Sequence, residues 1–209
     1  MKLLIWDIPD DFKERYIMDY NWRPMEERTN SVIFTAGKTL PCSDVGNSKY
    51  SLNPKEYDLI FASESPPEEF TKFDCLPNNT IGHVPLVNQK VLDIFNQLCP
   101  NDIQAFPATI IPDKSLKSNF ENHDYWLINI TSKIDCIDEE KTHFSRTTPQ
   151  SGSIPIGCEK VVLKNISGFC GIGRDNILKT FKLVSPSLVH AFKEAGVTGV
   201  QFIEDKDYS

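Results

Sequence analysis

The sequence predicts an α+β protein in which a mixed, mainly antiparallel sheet carries few helices. This fold class rests on two similar strand–helix–strand segments, one long segment of alternating polar and apolar residues, and the polar stretches between them. The chain has 209 residues, 40% of them hydrophobic, which is enough for a core of its own. We therefore expect a single domain over residues 1–209, with an irregular N-terminal lobe at 1–80 and an α+β core at 81–205.

The first third of the chain has short apolar runs separated by long stretches rich in proline, glycine, serine and asparagine. Such stretches predict loops, and loops of this length in a compact protein are functional or mobile. The predicted elements are, in order, a strand at Lys2–Trp6, a short helix at Asp10–Tyr20, a strand at Val32–Phe34, a loop at Gly37–Lys55, a strand at Leu59–Phe61 and a loop at Ser63–Asn79.

The segment Pro85–Phe106 predicts a strand, a helix and a second strand. Leu86 and Val87 form a short apolar strand, and Asn88 follows where a side-chain oxygen can cap the first turn of a helix. Pro100 cannot continue a helix, so we expect the helix to end before it. The apolar stripe of this helix is predicted to contain Val91, Phe95 and Leu98.

A polar gap, Pro112–Asp124, precedes the clearest strand signal of the chain, Tyr125–Ile137. Strict alternation over this segment predicts one strand with a covered face and a polar face, and therefore an antiparallel or mixed sheet. The covered face of Tyr125–Ile137 is predicted to contain Trp126, Ile128, Ile130, Ile134 and Cys136, and its polar face Asn129, Thr131, Lys133 and Asp135. A further strand is predicted within Glu159–Phe169.

The segment Phe181–Ile203 repeats the strand–helix–strand pattern. Ser185 is a predicted N-cap followed by Pro186 at the first helical position, and Gly196 suits a left-handed C-cap. Equivalent residues of the two segments lie 97 positions apart, as Val184 and Val87 do (184 − 87 = 97), which suggests two copies of one unit. The apolar stripe of this helix is predicted to contain Leu188, Phe192 and Ala195.

The charge balance indicates which partners to expect. The 22 basic and 29 acidic residues give a net charge of −7, which argues against nucleic acid as a partner, because phosphate contact needs clustered lysine and arginine. The apolar run Leu3–Trp6 is too short for a signal peptide, and no stretch approaches the roughly 20 apolar residues of a membrane helix. We expect a cytoplasmic protein without a membrane partner, whose six cysteines are thiols and mostly small buried hydrophobes.

Motifs for chemistry are weak throughout the sequence. The four histidines and six cysteines show no metal-binding spacing, so neither a metal nor a cofactor is predicted. His123 and Asp124 could form a base and its orienting carboxylate, although a surface loop is the more common meaning of such neighbours. The glycine-rich run Gly168–Arg174 matches no phosphate-loop motif; it suits a turn between strands, and less often a nest in which Arg174 meets an anion.

Four acidic residues follow the alternating segment. Asp135, Asp138, Glu139 and Glu140 could act in acid–base catalysis or bind a basic partner, but a solvated strand end is the commonest case.

The residues just described resemble immunity protein family 11 of bacterial polymorphic toxin systems, formerly a domain of unknown function. The resemblance covers about residues 80–205, including His83–Phe106, and leaves residues 1–80 unmatched. Its marks are the run Tyr125–Thr142 with the tract Asp135–Asp138, a Val-Ser pair before the last helix, and Gly-hydrophobic-Thr-Gly-hydrophobic-x-Phe at Gly196–Phe202.

This resemblance implies an immunity protein that binds and neutralises a cognate toxin domain, with no turnover and no catalytic residue. An acidic chain would suit a basic toxin, and because loops carry recognition more often than strands, we expect contact through the irregular lobe and Asp138, Glu139 and Glu140. One alternative is an enzyme or anion-binding protein with a site near Gly171–Arg174. Another is a structural or regulatory module of a longer toxin–antitoxin chain.

Overall fold

The computed structural model describes residues 2–7, 9, 18–19, 59–63, 65–76, 85–112, 119–147, 154–178 and 181–208. The predictions for Val32–Phe34 and Gly37–Lys55 lie outside these residues, as does most of Asp10–Tyr20, in which Met18–Asp19 is a strand. Among the described residues, no helix is both long enough and apolar enough to cross a membrane.

Thirteen strands, three α-helices and one 3₁₀ helix form the part of the chain that the structure describes. The strands are β1 (Leu4–Asp7), β2 (Met18–Asp19), β3 (Leu59–Ser63), β4 (Cys75–Leu76), β5 (Leu86–Asn88), β6 (Ile103–Pro112), β7 (Asn122–Ile130), β8 (Lys133–Ile134), β9 (His143–Thr147), β10 (Ile154–Lys160), β11 (Ile172–Asp175), β12 (Lys182–Val184) and β13 (Gln201–Ile203). The helices are α1 (Pro67–Phe70), α2 (Gln89–Leu98), α3 (Pro186–Glu194) and the 3₁₀ helix Asp205–Asp207.

These strands form two sheets and a separate hairpin. Sheet I has the order β13-β1-β12-β11-β8, sheet II has the order β2-β3-β6-β7-β5-β4, and β9 pairs with β10. The β3–β6 and β8–β11 pairs are parallel and the other described pairs are antiparallel. The predicted α+β class, with a mixed and mainly antiparallel sheet and few helices, is confirmed.

Two units of the same topology make up the centre of the molecule. The first unit comprises β4, β5, α2, β6 and β7, with its strands in the order β6-β7-β5-β4. The second unit comprises β11, β12, α3, β13 and β1, in the order β13-β1-β12-β11. The two orders match strand for strand. The strand equivalent to β7 is β1, which comes from the other end of the chain.

The register of the strands follows the same correspondence. Cys75 pairs with Val87 in the first unit, and Ile172 pairs with Val184 in the second, each residue 97 positions later (172 − 75 = 97; 184 − 87 = 97). The strands β7 and β1 correspond with an offset of 122, because Leu127 pairs with Leu86 as Ile5 pairs with Leu183 (127 − 5 = 122). The similarity of the two strand–helix–strand segments is therefore confirmed at the level of register.

The two units contact each other reciprocally. The N–H of Cys75 donates to the carbonyl of Thr198 at 3.1 Å, and the N–H of the equivalent Ile172 donates to the carboxylate of Asp102 at 3.2 Å. Each unit thus supplies its helix-to-strand loop as an acceptor for the first strand of the other. The helices meet through the equivalent residues Phe95 and Phe192, whose ring centroids lie 5.6 Å apart.

The central core lies between the two units and is built from equivalent residues. Trp6 stands at its middle, with its ring centroid 6.0 Å from that of Phe95 and 5.6 Å from that of Phe192. A second core lies on the other face of sheet I and includes Ile5, Cys136 and Leu183. Pairs of central-core residues 97 positions apart are Cys75 and Ile172, Val87 and Val184, Val91 and Leu188, Leu92 and Val189, and Phe95 and Phe192.

The predicted helix caps are confirmed, whereas the predicted last turns are wrong. Asn88 accepts from the N–H of Val91 at 3.3 Å, and Ser185 accepts from the N–H of Leu188 at 3.3 Å. Leu98 is 37% exposed, and Ala195 is also exposed. The helices contact each other through Phe95 and Phe192, three residues before Leu98 and Ala195, so their last turns extend past the core. Leu92 and Val189 are buried instead.

The predicted single strand Tyr125–Ile137 is also wrong, because it divides into β7 in sheet II and β8 in sheet I. The N–H groups of Thr131 and Ser132 donate to the carbonyl of Asp102, at 2.8 and 3.4 Å, which interrupts the strand.

The polar face predicted for this segment is covered within β7. Asn129 is buried there, and its amide N–H donates to the side-chain oxygen of Gln104 at 3.1 Å. Tyr125 and Leu127 are buried beside it on the same face.

Two further segments differ from prediction. The strand predicted through Val161–Leu163 ends earlier, because β10 stops at Lys160. Val161 and Leu163 are buried outside the strand, and Leu163 forms a single bridge with Ile137. The expected loop Ser63–Asn79 contains α1 and β4. Its prolines mark the start of α1, since Pro67 takes the first helical position.

Candidate partner-binding surface

The predicted acidic site lies in a tight turn between β8 and β9, here called the acidic turn (residues 135–142). The N–H of Thr142 donates to the carbonyl of Asp138 at 2.9 Å, and the N–H of Asp138 donates to the carbonyl of Val162 at 2.8 Å. These bonds fix the backbone of the turn against the segment after β10.

Asp138 has a structural partner of its own. Its carboxylate lies 2.7 Å from the ammonium of Lys141, and this hydrogen bond lowers the pKa of Asp138. Only 19% of its side chain is exposed. Asp138 therefore helps to close the turn and presents little surface to a partner.

Glu139 and Glu140 are the outward-facing members of the predicted set. Both side chains are exposed, and neither forms an ion pair with the residues that the structure describes. Asp135, at the start of the turn, is exposed but lies 3.1 Å from Lys164. The structure thus brings the predicted acids into one turn, in which Glu139 and Glu140 are the exposed carboxylates without an ion pair among the described residues.

A buried carboxylate that sequence reasoning missed anchors this turn. Asp175 is 1% exposed, and its oxygens accept from the N–H groups of Cys136 at 3.3 Å and Ile137 at 3.2 Å. It also accepts from the N–H groups of Ile177 and Leu178, at 2.7 and 3.1 Å. No local pattern marks Asp175 for this role, because its acceptance of the 136–137 amides depends on the parallel pairing of β8 with β11.

The glycine-rich run before β11 does not form an open anion nest. The N–H of Gly171 donates to Ser185 at 3.0 Å, that of Ile172 to Asp102, and that of Arg174 to the carbonyl of Ser132 at 2.9 Å. These donors already have acceptors within the protein. Arg174 itself is fully buried, and burial lowers its pKa to about 10.

The other residues considered for chemistry are dispersed. His123 contacts Thr109 at 3.1 Å and Glu121 at 3.5 Å rather than Asp124. His123 and Asp124 therefore do not form a general base with its orienting carboxylate. No three histidine, cysteine or acidic side chains come together as a metal site within the described ranges. His83 and Cys42 lie outside those ranges.

The described cysteines behave mainly as buried hydrophobes, as predicted. Cys75, Cys99 and Cys136 are buried, and burial raises the pKa of each thiol, to about 12 for Cys99. Cys158 is partly buried and Cys170 is exposed. The raised pKa values keep the three buried thiols protonated at neutral pH, which makes them poor nucleophiles.

Comparison with known proteins gives one finding for the whole chain. A family model described as Immunity protein family (Imm11) matches residues 15–207 of the 209. The match begins well before residue 80, where the resemblance noted in the sequence began. No curated protein matches the chain.

Proposed function

The chain belongs to the immunity protein family Imm11, and from this premise we propose that it binds a cognate bacterial toxin domain and neutralises it without turnover. The observation that carries the proposal is the match over residues 15–207, which includes the first unit, the acidic turn and all of the second unit except β1. The toxin would come from a polymorphic toxin system, and the complex would form in the cytoplasm. Tight inhibition of this kind usually buries about 800 Å² on each partner.

The chemistry of the described surface suits a binding protein better than a catalyst. The buried thiols are protonated, the N–H groups of Gly171 and Ile172 have internal acceptors, and His123 contacts Thr109 and Glu121 rather than Asp124. These observations support an inhibitor that acts by occupying the toxin.

We propose Glu139 and Glu140 as charged contacts with a basic toxin. Both are exposed at the tip of a turn whose backbone is fixed by hydrogen bonds, so a partner meets them in one arrangement. Asp138 belongs to the same contact but acts by holding the turn through Lys141. Opposed charges of this kind increase the rate of association more than they increase affinity.

The experiment is co-expression with the toxin encoded beside this gene. The toxin's C-terminal domain is induced in a test bacterium with this chain, without it, and with a tagged form for purification. We expect growth to be restored only when the chain is present, and the two proteins to purify together at one-to-one stoichiometry. A toxin domain that kills equally in both strains and does not co-purify would overturn the proposal.

The acidic contact has a test of its own. Glu139→Lys with Glu140→Lys should slow association at least about 10-fold at low salt. The control is Glu159→Lys with Glu194→Lys, because these two acids are also exposed and lie outside the irregular lobe, in β10 and α3. Equal association rates for both double variants would remove Glu139 and Glu140 from the interface.

A further inference from the structure

A groove lies where α2 begins, on the face of sheet II that carries the central core. It has a volume of about 350 Å³ and is formed by the first turn of α2 and the first half of β7. Asp124 and Trp126 line it from β7, on the same face as Ile128, because side chains two residues apart in a strand point the same way. Trp126 is partly buried, packs against the central core and leaves part of its indole at the groove.

Comparison of the two units separates what folding requires from what it does not. The residue of the second unit equivalent to Trp126 is Leu4, since Trp126 pairs with Val87 as Leu4 pairs with Val184. Leu4 is also partly buried against the central core. The same backbone position is thus filled adequately by leucine, so packing against the core does not demand an indole.

The charged residues differ between the units in the same way. The residue equivalent to Asp124 is Lys2, which forms an ion pair with Asp205. Asp124 instead is exposed and accepts from the neutral amide of Asn122 at 3.2 Å; among the described residues it has no ion pair.

The cations beside the groove already have partners. The ammonium of Lys90 lies 2.9 Å from Asp74 and 3.1 Å from the carbonyl of Gly196. His123 contacts Thr109 and Glu121, as described above. The groove therefore presents the ring of Trp126 and, two residues earlier on the same face of β7, the carboxylate of Asp124, which has no ion pair among the described residues.

We propose that this groove is the anchor site for one basic side chain, arginine or lysine, of the toxin, an inference that rests on the proposed function. The cation lies against Trp126 and forms a charge-assisted hydrogen bond with Asp124. Tryptophan is among the residues that dominate binding energy in protein interfaces, and here it lies in a concave site beside a carboxylate that has no ion pair within the described residues. The groove lies beside β7 of sheet II, whereas the acidic turn follows β8 of sheet I, so the two contacts are separate.

The test measures the dissociation constant of the purified chain with the C-terminal domain of the neighbouring toxin. Trp126→Leu introduces the residue found at the equivalent position of the second unit, and Asp124→Lys reverses the exposed charge. We expect each variant to bind at least about 30-fold more weakly than the wild type. Glu159→Lys, which makes the same charge change at an exposed site in β10, should bind like the wild type.

The outcomes distinguish this site from the proposed function. Thermal unfolding of each variant comes first, and Asp124→Lys keeps the test valid if Trp126→Leu proves unstable, because Asp124 is exposed. Wild-type binding with both groove variants within about twofold of it would overturn the anchor and leave the immunity function standing. Weaker binding by the Glu139→Lys, Glu140→Lys variant, with both groove variants binding like the wild type, would also overturn the anchor. A wild-type chain that does not bind the toxin would overturn the function, and the anchor with it.

Discussion

At the scale of single residues, Asp74 is the polar joint between the two units. Its carboxylate accepts from the side chain of Asn88 at 2.7 Å in the first unit, and from the N–H of Thr198 at 2.8 Å in the second. Lys90 lies 2.9 Å from it. Burial raises its pKa, but these hydrogen bonds outweigh burial and lower the pKa below its ordinary value.

Removal of this carboxylate should therefore loosen the contact between the units. We expect Asp74→Ala to lower the free energy of unfolding by about 2–4 kcal/mol, because several donors lose a charged acceptor. Urea unfolding measures this change. Asp93→Ala, at an exposed acid of α2 that accepts a hydrogen bond from Gln89, is the control and should cost less than about 0.5 kcal/mol. Equal effects of the two changes would contradict the role given to Asp74.

Lys182 makes a residue-scale prediction about pH. It is 8% exposed, and burial, followed by the charge of Arg174, lowers its pKa from 10.5 to about 8, although Asp7 acts in the opposite direction. Below pH 8 both folded and unfolded chains carry this charge, so burial costs its full penalty. Between about pH 8 and 10.5 the unfolded chain binds more protons, and the stability contributed at this site rises with pH.

Lys182→Met should accordingly stabilise the protein at pH 7, by at most about 3 kcal/mol, with a gain that shrinks towards pH 10. Unfolding free energies of both proteins across this range give the difference directly. Lys193→Met, at an exposed lysine of α3, should show no such dependence. A pH-independent gain, or none at pH 7, would contradict the buried charge.

The residues that could be predicted were those whose role is local. Asn88 and Ser185 were identified as caps because a cap depends only on the next three residues. Asp74, Asp102 and Asp175 were missed, because each accepts from a donor at least 29 positions away in the chain. These distant donors are Thr198, Thr131 and Cys136 respectively (198 − 74 = 124, 131 − 102 = 29, 175 − 136 = 39). Glu139 and Glu140 followed from a polar run, but the engagement of Asp138 by Lys141 did not.

At the scale of elements, α2 and α3 were predicted better than the strands, whereas α1 lies in a segment predicted as a loop. The starts of α2 and α3 depend on local capping, whereas the interruption of Tyr125–Ile137 depends on Asp102, a residue of the preceding helix-to-strand loop. The two-residue strand Cys75–Leu76 has no periodicity to detect, and it exists because Val87 and Leu86 pair with it. Strand pairing of this kind is a tertiary property.

The start of α3 provides an element-scale prediction. Ser185 accepts from the N–H groups of Leu188 and Gly171, so it caps the helix and also fixes the loop before β11. We expect Ser185→Ala to cost about 2 kcal/mol, more than an ordinary cap, because the buried N–H of Gly171 loses its acceptor. Ser167→Ala, at an exposed serine in the segment before β11, should cost under about 0.5 kcal/mol in the same denaturation experiment. Similar costs for the two serines would show that the cap does not reach the loop.

At the scale of the whole molecule, the two units share one strand order but differ in the chain position of one strand, which is β7 in the first unit and β1 in the second. In the first unit β7 follows β6, whereas in the second β1 precedes everything else. The sequence revealed the 97-residue offset of the two helical segments but not this strand exchange, since β1 and β7 have different side chains. Lys2 and Asp205 form an ion pair, so the strand β1 and the end of the second unit are adjacent in space.

This arrangement predicts that a circular permutant will fold. A flexible linker would join Ser209 to Met1, and new termini at the exposed Ser167–Gly168 bond would give both units the same element order. We expect the unfolding temperature to stay within several degrees of the wild type. A permutant opened between Val184 and Ser185, inside the second unit, should fail to fold. Equal stability of the two permutants would contradict the division into units.

The most direct test of the account as a whole is a titration of toxin activity with this chain. The toxin domain is held at a concentration far above the dissociation constant, and its residual activity is measured as the chain is added. A binding protein without turnover predicts a linear fall that reaches zero at one molar equivalent. Complete inactivation by a small fraction of an equivalent, continuing with time, would mean that the chain is a catalyst and would contradict the account. Full activity at a large excess would mean that it does not neutralise this toxin.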